Sequence, residues 1–246
     1  MIPYKLNFIG DIHGRPYWKE LVKTDAINVF MGDYLDAREN EFMDTQETNL
    51  LEILQYKKDN PDTVKLLLAN HDLPYLYLGK YDSKEMDQKS LYRHSLFIEN
   101  LPLFEGVAYG YGNYIATHAG ISTLWYNRYF GDYQGESTKI IAEKLNQLLW
   151  DNLDAYRFGP NSSNAFDFYG NDRFQSPAWI RPTALTEHNL FAGTNIKQIV
   201  GHTPMPMIRK YKDGEIVFID CLGQEKDSYV VDIMAGKIEK IIDTLF

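Results

Sequence analysis

Short apolar segments recur along the chain, and each runs directly into a polar cluster. They lie at residues 6–9, 26–31, 64–68 and 197–200. Their length, their branched aliphatic side chains and the turn residues that follow them predict buried β-strands. Because ligand sites in open α/β sheets lie just beyond the carboxyl ends of strands, we expect a functional site at these polar clusters.

Three longer stretches, at residues 45–57, 84–100 and 136–150, predict helices. In the first and the last, apolar side chains recur at helical spacing and indicate one buried face. The expected buried faces consist of Leu50, Leu51 and Leu54 in the first helix and of Ile140, Ile141, Leu145, Leu148 and Leu149 in the last. Helices placed between strands in this way predict an α/β fold.

The pattern changes after Pro204, where short apolar segments are separated by turns. The segments lie at residues 207–211, 215–219, 228–233 and 237–242. Asp213-Gly214 and Ala235-Gly236 are typical of hairpin turns. Residues 205–246 therefore predict an antiparallel meander of β-hairpins.

Residues 151–178 have little apolar periodicity but concentrate aromatic side chains among Asn, Gly and Ser. A loop of this length is usually functional or mobile. Two interpretations stay open: the aromatic side chains pack on the body of the protein, or they recognise substrate. No repeat or Pro/Ser-rich linker divides the chain, so we expect one domain over residues 1–246.

Composition and charge exclude several classes of protein. With 246 residues, 44% of them hydrophobic, the chain has a globular composition. The net charge of −9 argues against general affinity for nucleic acid, and a lone Cys221 excludes an intrachain disulfide framework. The longest stretch without charged side chains, 106–127, contains four glycines and is no membrane helix. Lys5 and Asp11 leave no room for a signal-peptide core, so we expect a soluble cytoplasmic protein.

The polar clusters contain the side chain types from which metal sites are built. Carboxylates, imidazoles and an amide oxygen suit Mn²⁺, Fe or Zn²⁺, whereas a thiolate-preferring metal finds no ligands here. Asp11 and His13 are two residues apart, so on an extended strand end they point to one side and can chelate one ion. The complete set is Asp11, His13, Asp33, Asn70, His71, His118 and His202.

Five motifs follow one another in a fixed order. They are Gly10-Asp11-Ile12-His13-Gly14, Gly32-Asp33-Tyr34-Leu35-Asp36, Asn70-His71-Asp72, Thr117-His118-Ala119-Gly120 and Gly201-His202-Thr203. Together they resemble the motifs of the calcineurin-like metallophosphoesterases. The chain is most similar to the phosphoprotein phosphatases and their bacterial relatives, which include symmetrical diadenosine tetraphosphatases.

The resemblance implies a fold and a dinuclear metal centre. The fold is expected to be a four-layer α/β/β/α sandwich, in which helices flank a central mixed β-sandwich. Two divalent ions are expected, Mn²⁺ first, with Fe, Zn²⁺ and Mg²⁺ as alternatives. In that scheme Asp33 bridges the ions. The other ligands are Asp11 and His13 for the first ion, and Asn70, His118 and His202 for the second.

The resemblance also implies a mechanism, in which a hydroxide that bridges the two ions attacks phosphorus directly. His71 is expected to act as the general acid, oriented by Asp36, because a proton-donating histidine needs a carboxylate partner. Arg181, in a Trp-x-Arg segment, is similar to the family's phosphate-binding arginine. Arg38 stands one place after the position of a second family arginine, which is Ala37 here. Both positions for Arg38, inside or outside the phosphate site, stay open.

These observations lead to a metal-dependent phosphoesterase that hydrolyses phosphomonoesters, Ser/Thr phosphoproteins among them. Dinucleoside polyphosphates are the alternative substrate, because both reactions use the same metal centre. A non-catalytic binding module of the same fold is a third hypothesis, against which the complete set of ligands and His71 argues. The expected partner is a phosphorylated substrate, with no nucleic acid and no membrane, and the oligomeric state stays open.

Overall fold

The computed structural model describes residues 5–77, 88–159 and 171–233. The strands in these ranges are β1 (Lys5–Ile9), β2 (Ala26–Phe30), β3 (Val64–Leu67), β4 (Phe104–Gly106), β5 (Ala108–Tyr111), β6 (Tyr114–Thr117), β7 (Lys197–Val200), β8 (Arg209–Tyr211), β9 (Ile216–Phe218) and β10 (Tyr229–Asp232). The helices are α1 (Trp18–Leu21), α2 (Gln46–Asp59), α3 (Leu73–Leu76), α4 (Gln88–Asn100), α5 (Thr123–Phe130), α6 (Thr138–Asp151) and α7 (Pro182–Glu187). Short 3₁₀ turns occur at Asn40–Phe42, Leu101–Leu103, Leu153–Tyr156 and Lys212–Gly214.

The strands form two five-stranded mixed sheets. The first has the order β10-β1-β2-β3-β4, and the second has the order β5-β6-β7-β9-β8. In the first sheet β1 to β4 are parallel and β10 is antiparallel to β1. In the second sheet β6, β7 and β9 are parallel, while the edge strands β5 and β8 are antiparallel to their neighbours. Each sheet therefore directs a group of parallel strands toward one end.

The two sheets pack face to face, because alternate side chains of each strand point to opposite faces. Leu6 of β1 and Val29 of β2 lie in one buried cluster with Ile199 of β7 and Val217 of β9. The ring of Phe8 belongs to the same cluster and is almost completely buried. These apolar contacts fix the position of one sheet on the other.

Helices cover the outer face of each sheet. Phe30 of β2 packs against Trp18 of α1, with ring centroids 5.8 Å apart, and Ile53 of α2 belongs to the same cluster. On the opposite side Ile216 of β9 lies in a cluster with Leu185 of α7. Helices, two sheets and helices form the four layers, so the α/β fold and the sandwich expected from the resemblance are confirmed.

All four strands predicted from the opening pattern are present, as β1, β2, β3 and β7. The three long helices are also present, as α2, α4 and α6; the predicted residues 84–87 lie outside the described ranges. Two face assignments were wrong, because Leu51 is 42% exposed and Ile140 is 45% exposed. Each stands next to a buried residue, Leu50 or Ile141, and successive helical positions are turned about 100° apart.

The C-terminal segment differs from the predicted meander. One hairpin is present, in which β8 and β9 pair across the turn at Asp213. The strand β9 then also pairs in parallel with β7, and β10 crosses to the first sheet, where it lies against β1. There Val231 is buried in the cluster between the sheets, and this burial favours the crossing. The predicted strand 237–242 and its turn lie outside the described residues.

The ends of the aromatic loop are described, and residues 160–170 are not. Tyr156 is completely buried, donates a hydrogen bond to the carbonyl of Leu145 (2.8 Å) and packs against Trp125. This aromatic side chain therefore packs on the body of the protein. No helix within the described ranges is long and apolar enough to cross a membrane.

Neighbouring isoleucines of α6 provide a test of the corrected helix face. We expect Ile141→Ala to lower the free energy of unfolding by about 2–5 kcal/mol, because it opens a cavity at a completely buried side chain. Ile140→Ala is the matched control and should change it by less than about 0.5 kcal/mol. Urea denaturation measures both values. Equal losses would contradict the assigned face.

Candidate metal centre

The predicted ligands follow the carboxyl ends of five parallel strands, three of them in the first sheet and two in the second. They are Asp11 and His13 after β1, Asp33 after β2, Asn70 after β3, His118 after β6 and His202 after β7. All six are buried, with at most 4% of the residue exposed. The packing of the two sheets therefore brings residues that are far apart in sequence to one place.

Four site residues have left-handed backbone conformations that non-glycine residues rarely adopt. They are His13 (φ 42°), Asp33 (φ 53°), Asp36 (φ 59°) and His202 (φ 64°). Each such residue costs on the order of 1–3 kcal/mol and persists only where the surrounding structure imposes it. This concentration of strain marks the strand-end loops as positions where orientation is more important than stability.

The carboxylate of Asp72 helps to impose these conformations. It accepts hydrogen bonds from the backbone N–H groups of Asp33 (2.8 Å), Tyr34 (3.0 Å) and Ala69 (2.9 Å). Gly32 allows the same loops to approach closely, because a Cβ atom there would collide with Ala69. The loops after β2 and β3 are thus fixed to each other.

Two imidazoles direct a lone pair at the carboxylate of Asp33. The Nδ1 atom of His13 lies 3.1 Å from the carbonyl oxygens of Leu35 and Asp36, and that of His118 lies 3.0 Å from the carbonyl of Met31. A carbonyl oxygen only accepts, so Nδ1 carries the proton in both rings and Nε2 is free to bind a metal. The Nε2 atoms lie 3.4 Å and 3.5 Å from Asp33 Oδ2.

Each of these imidazole nitrogens, together with the carboxylate oxygen that it faces, fits a metal ion. His13 Nε2, His118 Nε2 and Asp33 Oδ2 are buried and have no hydrogen-bond partner among the described residues, an arrangement that is costly without a cation. Ligands held about 2.1 Å from one ion are about 3.0–3.4 Å apart, close to the observed separations. A second group consists of Asp11, Asp33 and His118. Each offers one ligand atom, and these three atoms lie within 4.8 Å of one another.

Asn70 and His202 lie together at the same centre. Asn70 Oδ1 is 3.0 Å from His202 Nδ1, and the backbone N–H of His202 donates to both carboxylate oxygens of Asp11, at 3.1 and 3.0 Å. His202 Nε2 faces the carbonyl of Trp179 (3.1 Å), so the proton lies there and Nδ1 keeps its lone pair. Its ring centroid is 5.0 Å from that of His118.

The centre concentrates negative charge away from water. Burial and the charge of Asp33 raise the pKa of Asp11 to about 6. Burial and the charge of Asp11 raise the pKa of Asp220, which follows β9, to about 8. Burial alone would also raise the pKa of Asp33, but His118 and His13 outweigh it and hold that pKa below its usual value. A divalent cation would stabilise the ionised form of all three.

The predicted acid lies at the rim of this centre. His71 Nδ1 is 3.0 Å from Asp36 Oδ2, and both side chains are about one-third exposed, at 36% and 34%. The backbone N–H of His71 donates to Asp33 Oδ1 (3.0 Å), which fixes it beside the buried ligands. Burial lowers the pKa of His71, but the bond to Asp36 and the charge of Asp33 outweigh it and raise that pKa above its usual value.

Both predicted arginines lie near the centre. Arg181 donates through NH1 to Thr203 Oγ1 (3.1 Å) and to the carbonyl of His202 (3.4 Å). Burial lowers the pKa of Arg181, and the positive charge of exposed Arg38 lowers it further. The same charge opposes the rise in the pKa of His71. Arg38 also lines a pocket of about 170 Å³ that Asp220 borders. Arg38 therefore lies close enough for its charge to act on both Arg181 and His71.

Sequence reasoning missed several residues that the structure places here. Asp220 follows a strand, so the rule applied to the other strand ends would have found it. Arg15 was not missed, since the sequence left open whether it contacts substrate or starts a helix; it is buried and donates to the backbone carbonyl of Asp11 (3.2 Å) and to Glu39. Arg93 and Tyr75 donate to Asp36, and no spacing in the sequence links them to it.

Comparisons with known proteins agree with this geometry. The family model for the calcineurin-like phosphoesterases matches residues 4–220. A cold-active protein-tyrosine phosphatase from a psychrophilic Shewanella species has a similar structure, with a TM-score of 0.56 and 18% identity over 94% of this chain and 76% of that chain.

A protein serine/threonine phosphatase from Saccharomyces cerevisiae is also similar, with a TM-score of 0.52 and 14% identity over 92% of this chain and 70% of that chain. No curated protein matches the sequence significantly. Likeness at these identities shows a shared fold. The family match covers most of the chain, and the motifs that it contains form one buried centre between the sheets. The chain thus belongs to the calcineurin-like phosphoesterases and is a hydrolase that acts on phosphoester bonds.

Proposed function

We propose that this hydrolase is a metal-dependent phosphatase that acts on phosphomonoesters, Ser/Thr phosphoproteins included. One observation carries the proposal: unpartnered buried ligand atoms converge on Asp33, and the pair of His71 and Asp36 lies beside them at the rim. A metal centre next to a positioned proton donor is the arrangement that phosphate ester hydrolysis needs.

Asp33 is the proposed bridging ligand of two divalent ions. The first ion is assigned to Asp11 and His13, and the second to Asn70, His118 and His202. Bound there, the ions supply Lewis acidity, which lowers the pKa of a water molecule and neutralises phosphoryl oxygens. Oxygen and imidazole donors without a thiolate favour Mn²⁺, with Fe, Zn²⁺ and Mg²⁺ as alternatives.

His71 is the proposed proton donor to the leaving oxygen. Its Nδ1 is occupied by Asp36, so Nε2 is the atom that faces the reaction. Asp36 fixes the tautomer and the ring plane, and the bond between His71 N–H and Asp33 fixes the backbone. Partial exposure at the rim suits this role, since a leaving group must depart into solvent.

Arg181 is proposed to hold the phosphoryl oxygens. Its NH1 is anchored on Thr203 and on the backbone of His202, so one end of the guanidinium is held next to a proposed ligand. A planar guanidinium matches two phosphate oxygens at once. Arg38, exposed at the pocket rim, is proposed as a second and weaker phosphate contact.

Phosphate release tests the function. The purified chain with Mn²⁺ should release phosphate from p-nitrophenyl phosphate and from phosphoserine or phosphothreonine peptides, and a chelator should abolish the release. Asp33→Asn should lose both bound metal and activity, because one ligand serves two cations. Asp44→Asn, at an exposed aspartate, is the matched control and should retain both. Metal content is measured by mass spectrometry.

Each other outcome of this experiment has a distinct meaning. Cleavage of diadenosine tetraphosphate without cleavage of monoesters would establish the alternative substrate class. Bound metal without any hydrolysis would favour the binding module. Full metal content and normal activity in Asp33→Asn would disprove the bridging role.

The proposed acid is tested through the leaving group. His71→Asn should retain its metals but lower kcat by a factor on the order of 10²–10⁴ for phosphopeptides. The loss should be smaller for p-nitrophenyl phosphate, because p-nitrophenolate departs without a proton. The same substitution at His188, a histidine outside the motifs, is the control. A loss of equal size for both substrates would argue against proton donation by His71.

The arginine assignment is tested by paired variants. Arg181→Lys should lower kcat/KM about ten- to a hundredfold, because losing a charge-assisted contact costs roughly 1.5–3 kcal/mol and an ammonium does not reproduce the fork. Metal content should not change. Arg38→Ala should be the milder change. If Arg38→Ala is the crippled variant and Arg181→Ala is normal, the two assignments must be exchanged.

A further inference from the structure

Hydrogen bonds continue beyond the pair of His71 and Asp36 into two helices. One carboxylate oxygen of Asp36, Oδ2, lies 3.0 Å from His71 Nδ1. The other, Oδ1, accepts from the hydroxyl of Tyr75 on α3 (2.7 Å) and from NH1 of Arg93 on α4 (3.1 Å). The two oxygens thus have separate tasks: one faces the histidine, and the other is held from behind.

Arg93 is itself held at both ends of its guanidinium. Nε and NH2 each lie 2.8 Å from Oε1 of Glu47 on α2, while NH1 donates to Asp36 and to the Tyr75 hydroxyl (2.9 Å). The side chains of Arg93 and Glu47 are only 11% and 15% exposed. Because a guanidinium is planar, bonds to all three nitrogens fix its orientation. A chain of contacts therefore extends from Glu47 to His71.

We propose that Arg93, together with Tyr75, is a positioning residue for His71 and acts by locking the carboxylate of Asp36. This inference rests on the proposed role of His71 as proton donor. Two donors on Oδ1 from different elements prevent the carboxylate from rotating, so Oδ2 stays directed at His71 Nδ1. The ring of His71 then keeps Nε2 toward the leaving oxygen. Asp36 lies in a loop and has a left-handed backbone conformation (φ 59°) that persists only where surrounding residues impose it. Its side chain therefore needs partners from outside the loop.

A purely structural role for Arg93 predicts different behaviour. An ion pair that only tied α4 to α2 would affect folding and all substrates alike. Tyr75 separates the two roles, because its ring stacks on Phe97 with centroids 5.5 Å apart. Tyr75→Phe retains that packing and removes only the hydroxyl, with its hydrogen bonds to Asp36 and Arg93. Lys89 supplies the matched control on α4, since its Nζ lies 3.8 Å from Glu47 Oε1 and, among the described residues, it makes no hydrogen bond to Asp36.

The test is steady-state kinetics of the metal-loaded enzyme on aryl and alkyl phosphates with leaving groups of graded pKa. Arg93→Met should lower kcat about 10–100-fold for the poorest leaving group, the usual cost of losing an orienting partner, with KM unchanged. The loss should shrink as the leaving group improves. Tyr75→Phe should show the same trend with a smaller size, and Arg93→Lys should recover part of the loss. Lys89→Met should match the unmodified chain.

A double variant makes the test decisive. In the His71→Asn background, Arg93→Met should cause no further loss of kcat, because the residue it positions is already absent. Additive losses, or a loss that does not depend on the leaving group, would overturn the proposal. If Arg93→Met fails to fold, Tyr75→Phe and Arg93→Lys decide by the same criteria. If the loss of kcat depends on the leaving group in Arg93→Met but not in His71→Asn, the proposed role of His71 as proton donor is wrong. If the loss depends on the leaving group in neither variant, the proposed roles of both His71 and Arg93 are wrong.

Discussion

Carboxyl groups buried side by side are the constraint on which the centre depends. Asp11, Asp33 and Asp220 lie between the ends of the two sheets, at most 4% exposed, and Asp33 Oδ2 and Asp220 Oδ2 have no hydrogen-bond partner among the described residues. Burying like charges is unfavourable unless a cation or proton compensates them. The Nε2 atoms of His13 and His118 face the same carboxylate, and with their lone pairs this group suits a metal cation.

Holding these groups together requires both sheets. The first sheet supplies the ligands after β1, β2 and β3, and the second supplies those after β6 and β7. Apolar contacts between the sheets set the distance, while the Asp72 carboxylate and the N–H of His202 connect the loops at the top. Apolar packing thus sets the position of the loops, and directional hydrogen bonds set the orientation of each ligand.

The parts of the site that follow strand ends could be predicted from sequence, because a strand and the polar residues after it are local. Asp11, Asp33 and His202 are examples. The exact buried face of a helix could not be predicted, because exposed Leu51 and buried Leu50 are the same residue type at adjacent positions. The lock around Asp36 depends on how α4 packs near α2, and no local pattern encodes such packing. The arginine roles and the metal stoichiometry stay predictions, because they concern groups that bind from solution.

The pairing of β10 with β1 has a consequence for how the chain is made. Lys5 lies opposite Asp232 in the register, so the first strand has an open edge until almost the entire described chain has left the ribosome. Contacts between such distant segments form slowly, and an unpaired edge strand invites association with other chains. During synthesis the strand that precedes Asp11 therefore stays open to association with other chains, and the centre can be completed only after translation has passed His202.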